Sequence, residues 1–212
     1  MNESIRAATI ADADAIAALH AASWRSAYRG ILKDSTLGPT LDGERRTHWR
    51  GELAAMAPAD TVLIADGLGF IAAWAEGDPG FGAYIDNLHV HPERRSGGLG
   101  RRLLGAAMRR VAGRGETRAY LWVFDGNTRA IEFYRRLGGE IVEHGFEEID
   151  GLKVPQSRIA WRDTLRLAEA CADQAPVISF RSPKNPRLRT DAIVQSTGSD
   201  WKPSSKRSRL MR

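Results

Sequence analysis

The sequence predicts a mixed α/β domain followed by a basic extension. Apolar residues recur with the period of a helix in some segments and with the alternation of a strand in others, and the two kinds of segment succeed one another along the chain. A chain of 212 residues with 42% apolar content can enclose one sizeable core but hardly two. We therefore expect one domain over residues 1–165 and an appended segment over residues 166–212.

The first half of the chain predicts two helices and then three strands. After a short extended segment at SIRAAT, the stretch ADADAIAALHAASWRSAY places Ile16, Leu19 and Trp24 about one turn apart, as in an amphipathic helix. Asp12 and Asp14 lie near its start, where acidic residues are typical. A second helix is predicted for LDGERRTHWRGELAAM, a hairpin for TVLIAD and GFIAAWA, and a third strand for AYIDNLHV.

The strand AYIDNLHV carries several polar residues. Strict alternation places one set of side chains on one face, Tyr84, Asp86, Leu88 and Val90, and a second set on the other, Ile85, Asn87 and His89. Only a bulge in the strand would reverse this count.

The second half of the chain predicts a helix, a strand, a helix and a closing strand pair. A glycine cluster follows the strand AYIDNLHV and begins a helix that continues to about Val111. The strand AYLWVFD comes next, and then the helix NTRAIEFYRRLG, which Gly138 ends. The strands GEIVEHGFEEI and VPQSRIAW complete the domain, and DTLRLAEACADQ, residues 163–174, adds a short helix.

The net charge of +5 is unevenly distributed. From Arg181 onward there are nine Lys or Arg and two Asp, a balance of +7, which leaves −2 for residues 1–180. Because this basic segment is rich in Pro and Ser and poor in apolar residues, we expect it to be disordered and to attract polyanions weakly, less so as salt rises. A solvated extension explains the composition better than a specific binding arm does.

Composition also excludes several classes of protein. No apolar run approaches the roughly 18 residues that span a bilayer, and the start MNESIRAATI lacks the basic end and apolar centre of a signal peptide. The single cysteine, Cys171, can form neither an internal disulfide nor a cysteine-built zinc site. We expect a cytoplasmic protein with no metal cofactor and no membrane contact.

The stretch HPERRSGGLGRRLLGAAMRR places closely spaced glycines where a strand gives way to a helix. At such a helix start several backbone N–H groups lack partners and lie beside the positive end of the helix dipole, which favours an anion. Glycine permits close approach and positive φ angles. From the residues alone an anion site and an ordinary turn both stay open, and the side chains of Arg95 and Arg101 either contact the anion or face water.

Two familiar phosphate motifs fit the glycine cluster poorly. A G-x-G-x-x-G register that starts at Gly98 requires glycine at position 103 and finds Leu103. No G-x-x-x-x-G-K-[ST] motif occurs in the sequence. Both nucleotide-binding interpretations therefore lose support.

The cluster instead has the form [QR]-x-x-G-x-[GA], since RSGGLG, residues 95–100, follows the strand end NLHVHP. Further on, NTRAIEFY has the form N-x-x-A-x-x-F-Y, and SWRSAYRGIL lies near the start of the chain. In these motifs, their order and their separation, the chain closely resembles the GNAT superfamily of acyl-CoA-dependent N-acyltransferases. The resemblance covers about residues 3–162 and ends before the basic segment.

The resemblance implies both a fold and a cofactor. The fold is a mostly antiparallel mixed sheet flanked by helices, in which the strand with Leu88 and Val90 splays away from LWVF. In the family the glycine loop binds the pyrophosphate of acetyl-CoA, and the splayed strand offers free backbone groups to the pantetheine amides. The resemblance thereby assigns cofactor binding to Leu88, His89, Val90, Arg95, Ser96, Gly97, Gly98, Leu99, Gly100, Arg101, Asn127 and Tyr134.

Tyr134 is the main catalytic candidate. The family uses the tyrosine of this motif to donate a proton or a hydrogen bond to the departing thiolate, and the resemblance gives that role to Tyr134. On helical spacing alone Phe133, Tyr134 and Leu137 would simply pack the helix on the sheet. Asn127 begins the same helix, where it would cap free N–H groups and, by the resemblance, also contact the cofactor.

The sequence defines the general base less well. An alkylamine with a pKa of about 10 is mostly protonated at neutral pH, so a base or a water relay is required. Many relatives carry Glu or His on the strand before the loop, whereas this chain has Tyr84. We assign the role to Asp86, directly or through water, with capping of a neighbouring loop as the alternative. His89 and His91 are weaker candidates, because His89 lies on the opposite face of the strand and His91 lies at the turn.

The expected reaction is transfer of the acetyl group from acetyl-CoA to an acceptor amine by direct attack in a ternary complex, because no poised cysteine or Ser-His-Asp pattern indicates an acyl-enzyme. The acceptor is a small-molecule amine or a peptide or protein amine. A cationic amine would suit the aromatic and acidic residues on the acceptor side, although core packing and a solvated hairpin tip explain them more simply. These residues are Trp24, Tyr28, Trp49, Trp74, Glu147, Glu148 and Asp150.

Two other functions remain as alternatives. The protein could bind CoA as a sensor without efficient turnover, or it could associate with nucleic acid or ribosomes through its basic segment. Tyr134 favours an enzyme over a sensor. Family members frequently pair through sheet edges, so a homodimer is also expected.

Overall fold

Seven strands form one sheet with helices on both faces, in a computed structural model that describes residues 4–172. The strands are β1 (Arg6–Ala7), β2 (Thr61–Ala65), β3 (Gly69–Trp74), β4 (Ala83–Val90), β5 (Ala119–Phe124), β6 (Glu140–Ile149) and β7 (Leu152–Trp161). The helices are α1 (Ala13–Ala27), α2 (Leu41–Ala54), α3 (Leu99–Gly113), α4 (Thr128–Arg136) and α5 (Thr164–Ala172). The predicted disorder of the basic segment from Arg181 lies outside the described residues.

The strand order is β1-β2-β3-β4-β5-β7-β6. Every neighbouring pair is antiparallel except β4 and β5, which are parallel. The prediction of a mixed, mostly antiparallel sheet flanked by helices is therefore confirmed. Within residues 4–172, no helix combines the length and apolar character needed to cross a bilayer.

One face of the sheet packs against α3. Leu103, Leu104 and Met108 are fully buried there against apolar residues of β2, β3, β4 and β5. α5 covers α3 from outside and adds Leu167 and Cys171 to the same core. The domain boundary expected at residue 165 stays a prediction. The helix α5, which crosses that residue, belongs to this packing.

The opposite face packs against α1 and α2. Ile16 of α1 and Trp49 of α2 are fully buried against alternate residues of β2 and β3, among them Phe70 and Trp74. Trp24 lies in an adjoining cluster with Phe124. The simpler interpretation of Trp24 and Trp49 as core residues is thus correct.

The strand β4 contains a bulge that the sequence did not predict. Its register with β3 pairs Asn87 with Ala72 and Ile85 with Ala73, so Asp86 is an extra residue without a partner on β3. An extra residue reverses the alternation beyond it. The strict alternation proposed for this strand is therefore wrong after Asp86.

The bulge sorts the β4 side chains into two new sets. Ile85, Leu88 and Val90 belong to the α3 face, where they pack on its core. Asp86 and His89 share the α1 and α2 face: Asp86 accepts a hydrogen bond from the Trp74 indole, and His89 pairs with Phe70 and contacts α1. The expectation that Asp86 points the same way as Leu88 and Val90, and opposite to His89, is corrected by this geometry.

We predict that Gly105→Ala destabilises the domain by about 1–3 kcal/mol, because the added methyl group overpacks the α3–α5 contact. A Cβ at position 105 would lie 2.7 Å from the Cys171 Cβ. Gly113→Ala is the matched control in the same helix, since a Cβ there meets no atom within 4 Å, and it should be neutral or slightly stabilising. Urea unfolding measures both, and equal stabilities would contradict the close packing of α5 on α3.

Candidate active site

The glycine cluster forms the turn between β4 and α3. Ser96 and Gly98 have positive φ angles of 75° and 78°, and α3 begins at Leu99. The first hydrogen bond of the helix runs from the Arg102 amide to the Gly98 carbonyl (3.0 Å), so the amides just before Arg102 have no partner inside the helix. The first turn contains no acidic residue. The turn therefore presents unpaired donors at the positive end of a helix, as an anion site requires.

The strands β4 and β5 separate after two paired positions. Their register joins Ala83 to Ala119 and Tyr84 to Tyr120 and goes no further. Beyond Tyr84, β4 stays paired with β3, and β5 stays paired with β7. The edge of β4 that faces β5 is thus open toward Val90 within the described part of the chain. This opening is the splay that the resemblance implies.

The arginines around the loop have different roles. Arg95 turns toward α1, where its guanidinium donates to the Ser26 hydroxyl (2.9 Å) and the Ser23 hydroxyl (3.4 Å). Arg101 turns toward α5 and donates to the Cys171 carbonyl (3.0 Å). Neither side chain faces water freely, and the Arg101 side chain points away from the loop, so only its backbone amide remains there for an anion.

Arg129 is a further cation at the loop. It lies in the first turn of α4, and its guanidinium donates to the Ser96 hydroxyl (3.0 Å). Arg129 lies inside the motif NTRAIEFY but was not among the predicted site residues. Its position two residues after the helix cap Asn127 was the available signal, since α4 begins at the same end of the sheet as α3.

Asp86 is a buried carboxylate whose two oxygens are unequally hydrogen-bonded. Its Oδ2 accepts from the Trp74 indole (2.9 Å) and from the Asn87 side-chain amide (2.7 Å). Its Oδ1 is buried and lacks a hydrogen bond of good geometry, although the Tyr84 phenol lies close enough to stabilise the carboxylate. Burial raises the pKa of the carboxyl above its ordinary value, and the Trp74 hydrogen bond opposes the shift. The group is thus a stronger base than an exposed aspartate.

His89 is a neutral packing residue. Its Nδ1 lies 2.9 Å from the Ser23 hydroxyl, its Nε2 lies 3.2 Å from Asn87 Oδ1, and its ring stacks on His20 with centroids 4.6 Å apart. Burial, together with Arg95 and Arg45, lowers the pKa of His89 to about 3. Its backbone remains a candidate for cofactor binding, whereas its side chain faces α1.

Tyr134 is buried in α4 and belongs to the core. Its ring makes edge contacts with Phe133 and Trp161 at centroid distances of 5.1 and 5.9 Å. Burial raises the pKa of its phenol, and the nearby Tyr28 raises it further. Tyr28 lies at the end of α1. Core packing of Tyr134 is thus observed, and its catalytic role stays a prediction.

Asn127 caps α4, because its side-chain oxygen accepts from the Ala130 amide at 3.3 Å. This is the simpler of the two roles expected for it. The helix start that it caps lies directly after β5, at the open end of the strand pair.

The hairpin acids do not form one acidic wall. The Asp150 carboxylate accepts from the Thr36 hydroxyl (2.6 Å), and the Asp150 carbonyl accepts from Lys33 (2.7 Å), so this tip is tied to the segment after α1. Glu147 is half-buried beside Gln156, and Glu148 is exposed. These contacts favour the interpretation of the acids as a hairpin surface over a wall that binds a cationic amine.

The fold and the site together define the class of protein. Two parallel strands separate after two paired positions, and a glycine turn that begins a helix follows one of them, in a domain with the topology described above. Residues 19–139 match the acetyltransferase (GNAT) family. The chain therefore belongs to the GNAT family and is an N-acetyltransferase.

Individual relatives agree with this assignment. The chain is 26% identical over 165 residues to the uncharacterized N-acetyltransferase YuaI of Bacillus subtilis (strain 168), a match that covers 76% of this chain and 93% of YuaI. The fold is similar to that of PaiA N-acetyltransferase from Thermoplasma acidophilum in complex with coenzyme A, at 20% identity and a TM-score of 0.56, covering 74% of this chain and 98% of PaiA. It is also similar to YncA from Salmonella typhimurium with its cofactor acetyl-CoA, at 17% identity and a TM-score of 0.55, covering 76% and 94%.

We predict that Asp86→Asn stabilises the protein at pH 8 and that the gain shrinks as the pH falls. A carboxyl whose folded pKa is raised destabilises the fold while it is ionised, above that pKa, and the cost disappears as it becomes protonated. Melting temperatures from pH 8 down to the ordinary pKa of an aspartate, about 4, measure the effect. Glu93→Gln, which removes an exposed carboxyl, is the control and should show no such trend. A variant that is less stable than the wild type at pH 8 would contradict the raised pKa of this carboxyl.

Proposed function

We propose that this N-acetyltransferase moves the acetyl group of acetyl-CoA to an acceptor amine by direct attack in a ternary complex. The observation that supports the proposal most strongly is the opening between β4 and β5, which has free amides of α3 at one end and the environments of Asp86 and Tyr134 along it. PaiA and YncA, which share the fold, are complexes with coenzyme A and acetyl-CoA.

The cofactor is bound mainly by backbone. The amides of residues 96–101 hold the diphosphate at the start of α3, with Arg129 beside Ser96 as an additional positive charge. The open edge of β4 from Leu88 to Val90 pairs with the pantetheine amides as an added strand would. The side chains of Leu88 and Val90 remain in the core, so substitution there tests packing rather than binding.

Asp86 serves as the base and Tyr134 as the acid. Asp86, directly or through a water, takes a proton from the acceptor ammonium, and the neutral amine then attacks the thioester carbonyl. A C–N bond forms, the C–S bond breaks, and the departing sulfur receives the phenolic proton of Tyr134. The nitrogen loses its second proton as it becomes an amide, and that proton returns to the phenolate of Tyr134. The raised pKa of Tyr134 keeps that proton in place until the thiolate develops.

Direct attack is favoured over an acyl-enzyme because the possible nucleophiles are poorly placed. Cys171 is buried under α3, and burial raises the pKa of its thiol to about 11. The Ser157 hydroxyl donates to Asp125 (2.6 Å) and lies 3.0 Å from His144 Nδ1. Here serine stands between the acid and the imidazole, whereas a relay needs the imidazole in the middle.

A homodimer through a sheet edge and polyanion binding by the basic segment are further parts of the proposal. β6 forms one edge of the sheet and exposes three large apolar side chains, those of Ile141, Val142 and Phe146. An exposed apolar edge of this kind favours pairing with a second sheet. The basic segment would act separately from the acetyl transfer.

We predict that Tyr134→Phe lowers kcat by about 100-fold or more, the usual contribution of a general acid, without weakening CoA binding. Thiol release from acetyl-CoA with a panel of small amines and peptides gives kcat, and calorimetry gives the CoA affinity. Tyr120→Phe is the control, since its hydroxyl accepts from the Asp78 amide in a neighbouring loop, and kcat should change little. Undiminished turnover in Tyr134→Phe would remove the acid from the mechanism, and CoA binding with no thiol release for any amine would identify a sensor.

We predict that Gly98→Ala weakens CoA binding by about tenfold or more, because the added Cβ is strained at a positive φ and stands in the anion turn. Gly115→Ala is the matched control: its φ is +90°, a Cβ there meets no atom within 4 Å, and it lies beyond the far end of α3. Titration calorimetry with CoA compares the two. An equal loss in both variants would trace the effect to stability, and no heat for the wild-type protein would overturn the cofactor assignment.

A further inference from the structure

Arg45 of α2 is a buried cation that has no ion-pair partner among the described residues. The residue is only 5% exposed, and its Nε has no hydrogen-bond partner. Its guanidinium lies over the Trp24 ring, 4.9 Å from the centroid. Among residues 4–172, no carboxylate forms an ion pair with it.

The contact with Trp24 does not offset the cost of burying this charge. The attraction of a cation to an aromatic ring is much weaker than the desolvation cost of a buried charge without a partner. The other buried arginine on this side of the sheet, Arg158, shows the usual solution, since Asp78 (3.0 Å) and Glu143 (3.1 Å) both pair with it. Arg45 therefore lacks an anion that Arg158 has.

Arg45 lies on the same side of the sheet as Asp86. Among the buried side chains of α2 are Arg45, His48 and Trp49. Arg45 lies over Trp24, Trp24 makes an edge contact with His20 (centroids 5.1 Å apart), and His20 stacks on His89 of β4 (4.6 Å). Glu44 and Asp86 both favour the charged form of Arg45. One unpaired cation and one carboxylate with an oxygen that lacks a well-formed hydrogen bond thus face the same region.

We propose that Arg45 binds a carboxylate of the acceptor, so that the acceptor is an amino acid or another amine that carries a carboxylate. This inference rests on the proposed acetyl transfer. The acceptor ammonium lies at Asp86 Oδ1 and its carboxylate on the Arg45 fork, which matches a carboxylate with two parallel hydrogen bonds. Both buried charges then gain their missing partner in one ligand.

The same arrangement disfavours a polyamine. A second ammonium would meet the Arg45 guanidinium instead of an anion, and like charges in a buried site cost several kcal/mol. An amine whose carboxylate is replaced by a carboxamide would leave Arg45 unpaired. The discrimination therefore comes from a group that lies away from the reacting nitrogen.

The test compares matched probes on the full chain saturated with CoA or acetyl-CoA. The probes are the twenty standard amino acids with β-alanine and γ-aminobutyrate, the corresponding carboxamides, and putrescine and spermidine. Titration calorimetry on the CoA complex measures binding without turnover, and thiol release measures transfer. We expect one or more carboxylate acceptors to bind at least tenfold more tightly than their amides, and to be acetylated with the higher kcat/KM.

Variants of α2 assign the effect to the residue. Arg45→Met should weaken binding of the preferred acceptor by about 30-fold or more and abolish the preference over its amide. Arg45→Lys keeps the charge but not the two parallel N–H donors, so it should restore part of the binding and of the preference. This rescue separates recognition of the carboxylate from a general loss of folding. Arg46→Met, an exposed neighbour in the same helix, is the control and should leave the preference intact.

The outcomes separate this inference from the proposed function. If no carboxylate probe binds or reacts better than its amide, or if Arg45→Met retains the preference, the role of Arg45 is overturned while acetyl transfer to other amines can stand. If carboxylate probes bind through Arg45 but no amine releases thiol, the proposed transfer fails and the anion site stands.

Discussion

The bulge in β4 is the feature on which the arrangement of the site depends. The register shift between Ala72 and Ala73 leaves Asp86 as an extra residue. Because of it, Asp86 and His89 lie on the same face of the strand, while Leu88 and Val90 remain in the core under α3. Bulges also increase strand twist locally, and β4 leaves β5 within two residues of this position. One inserted residue thus accompanies both the opening of the sheet and the selection of the side chains beside it.

The site keeps two poorly satisfied charges inside an otherwise well-packed domain. Asp86 has an oxygen without a well-formed hydrogen bond, and Arg45 has a guanidinium nitrogen without one. Each lowers the stability of the fold, since a buried polar group without a partner costs about 1–3 kcal/mol or more. Two apolar layers, one around α3 and one around α1 and α2, provide the stability that offsets this cost. Such local exceptions in a consistent fold are typical of functional sites.

The sequence predicted what is encoded locally and missed what depends on pairing. Within residues 4–172, periodicity and turn residues located the α-helices and the strands but not the short 3-10 helices Ile10–Asp12 and Pro92–Arg94. The motifs around Gly98 and Tyr134 predicted the loop and the helix that flank the opening, because each is a continuous stretch. The face of His89 could not be predicted, since the bulge arises from the register with β3. Arg45 also escaped notice: in LDGERRTHWRGELAAM it resembles Arg46 and Arg50, and only the packing of α2 makes one of them buried. The directions of Arg95 and Arg101 were set by α1 and α5, which lie far away in the sequence.

The helix α1 connects the glycine loop before α3 to the polar side chains of β4. The Ser23 hydroxyl accepts from Arg95 of the loop and contacts His89 of β4, and Ser26 accepts from the same arginine. At the end of this helix, Tyr28 interacts electrostatically with both Asp86 and Tyr134. Direct transfer between two bound substrates depends on their relative position, and a displacement of about 1 Å can lower the rate 100-fold. Arg95 therefore ties the loop to α1, and in the proposed mechanism this tie would fix the thioester relative to Asp86, the proposed base.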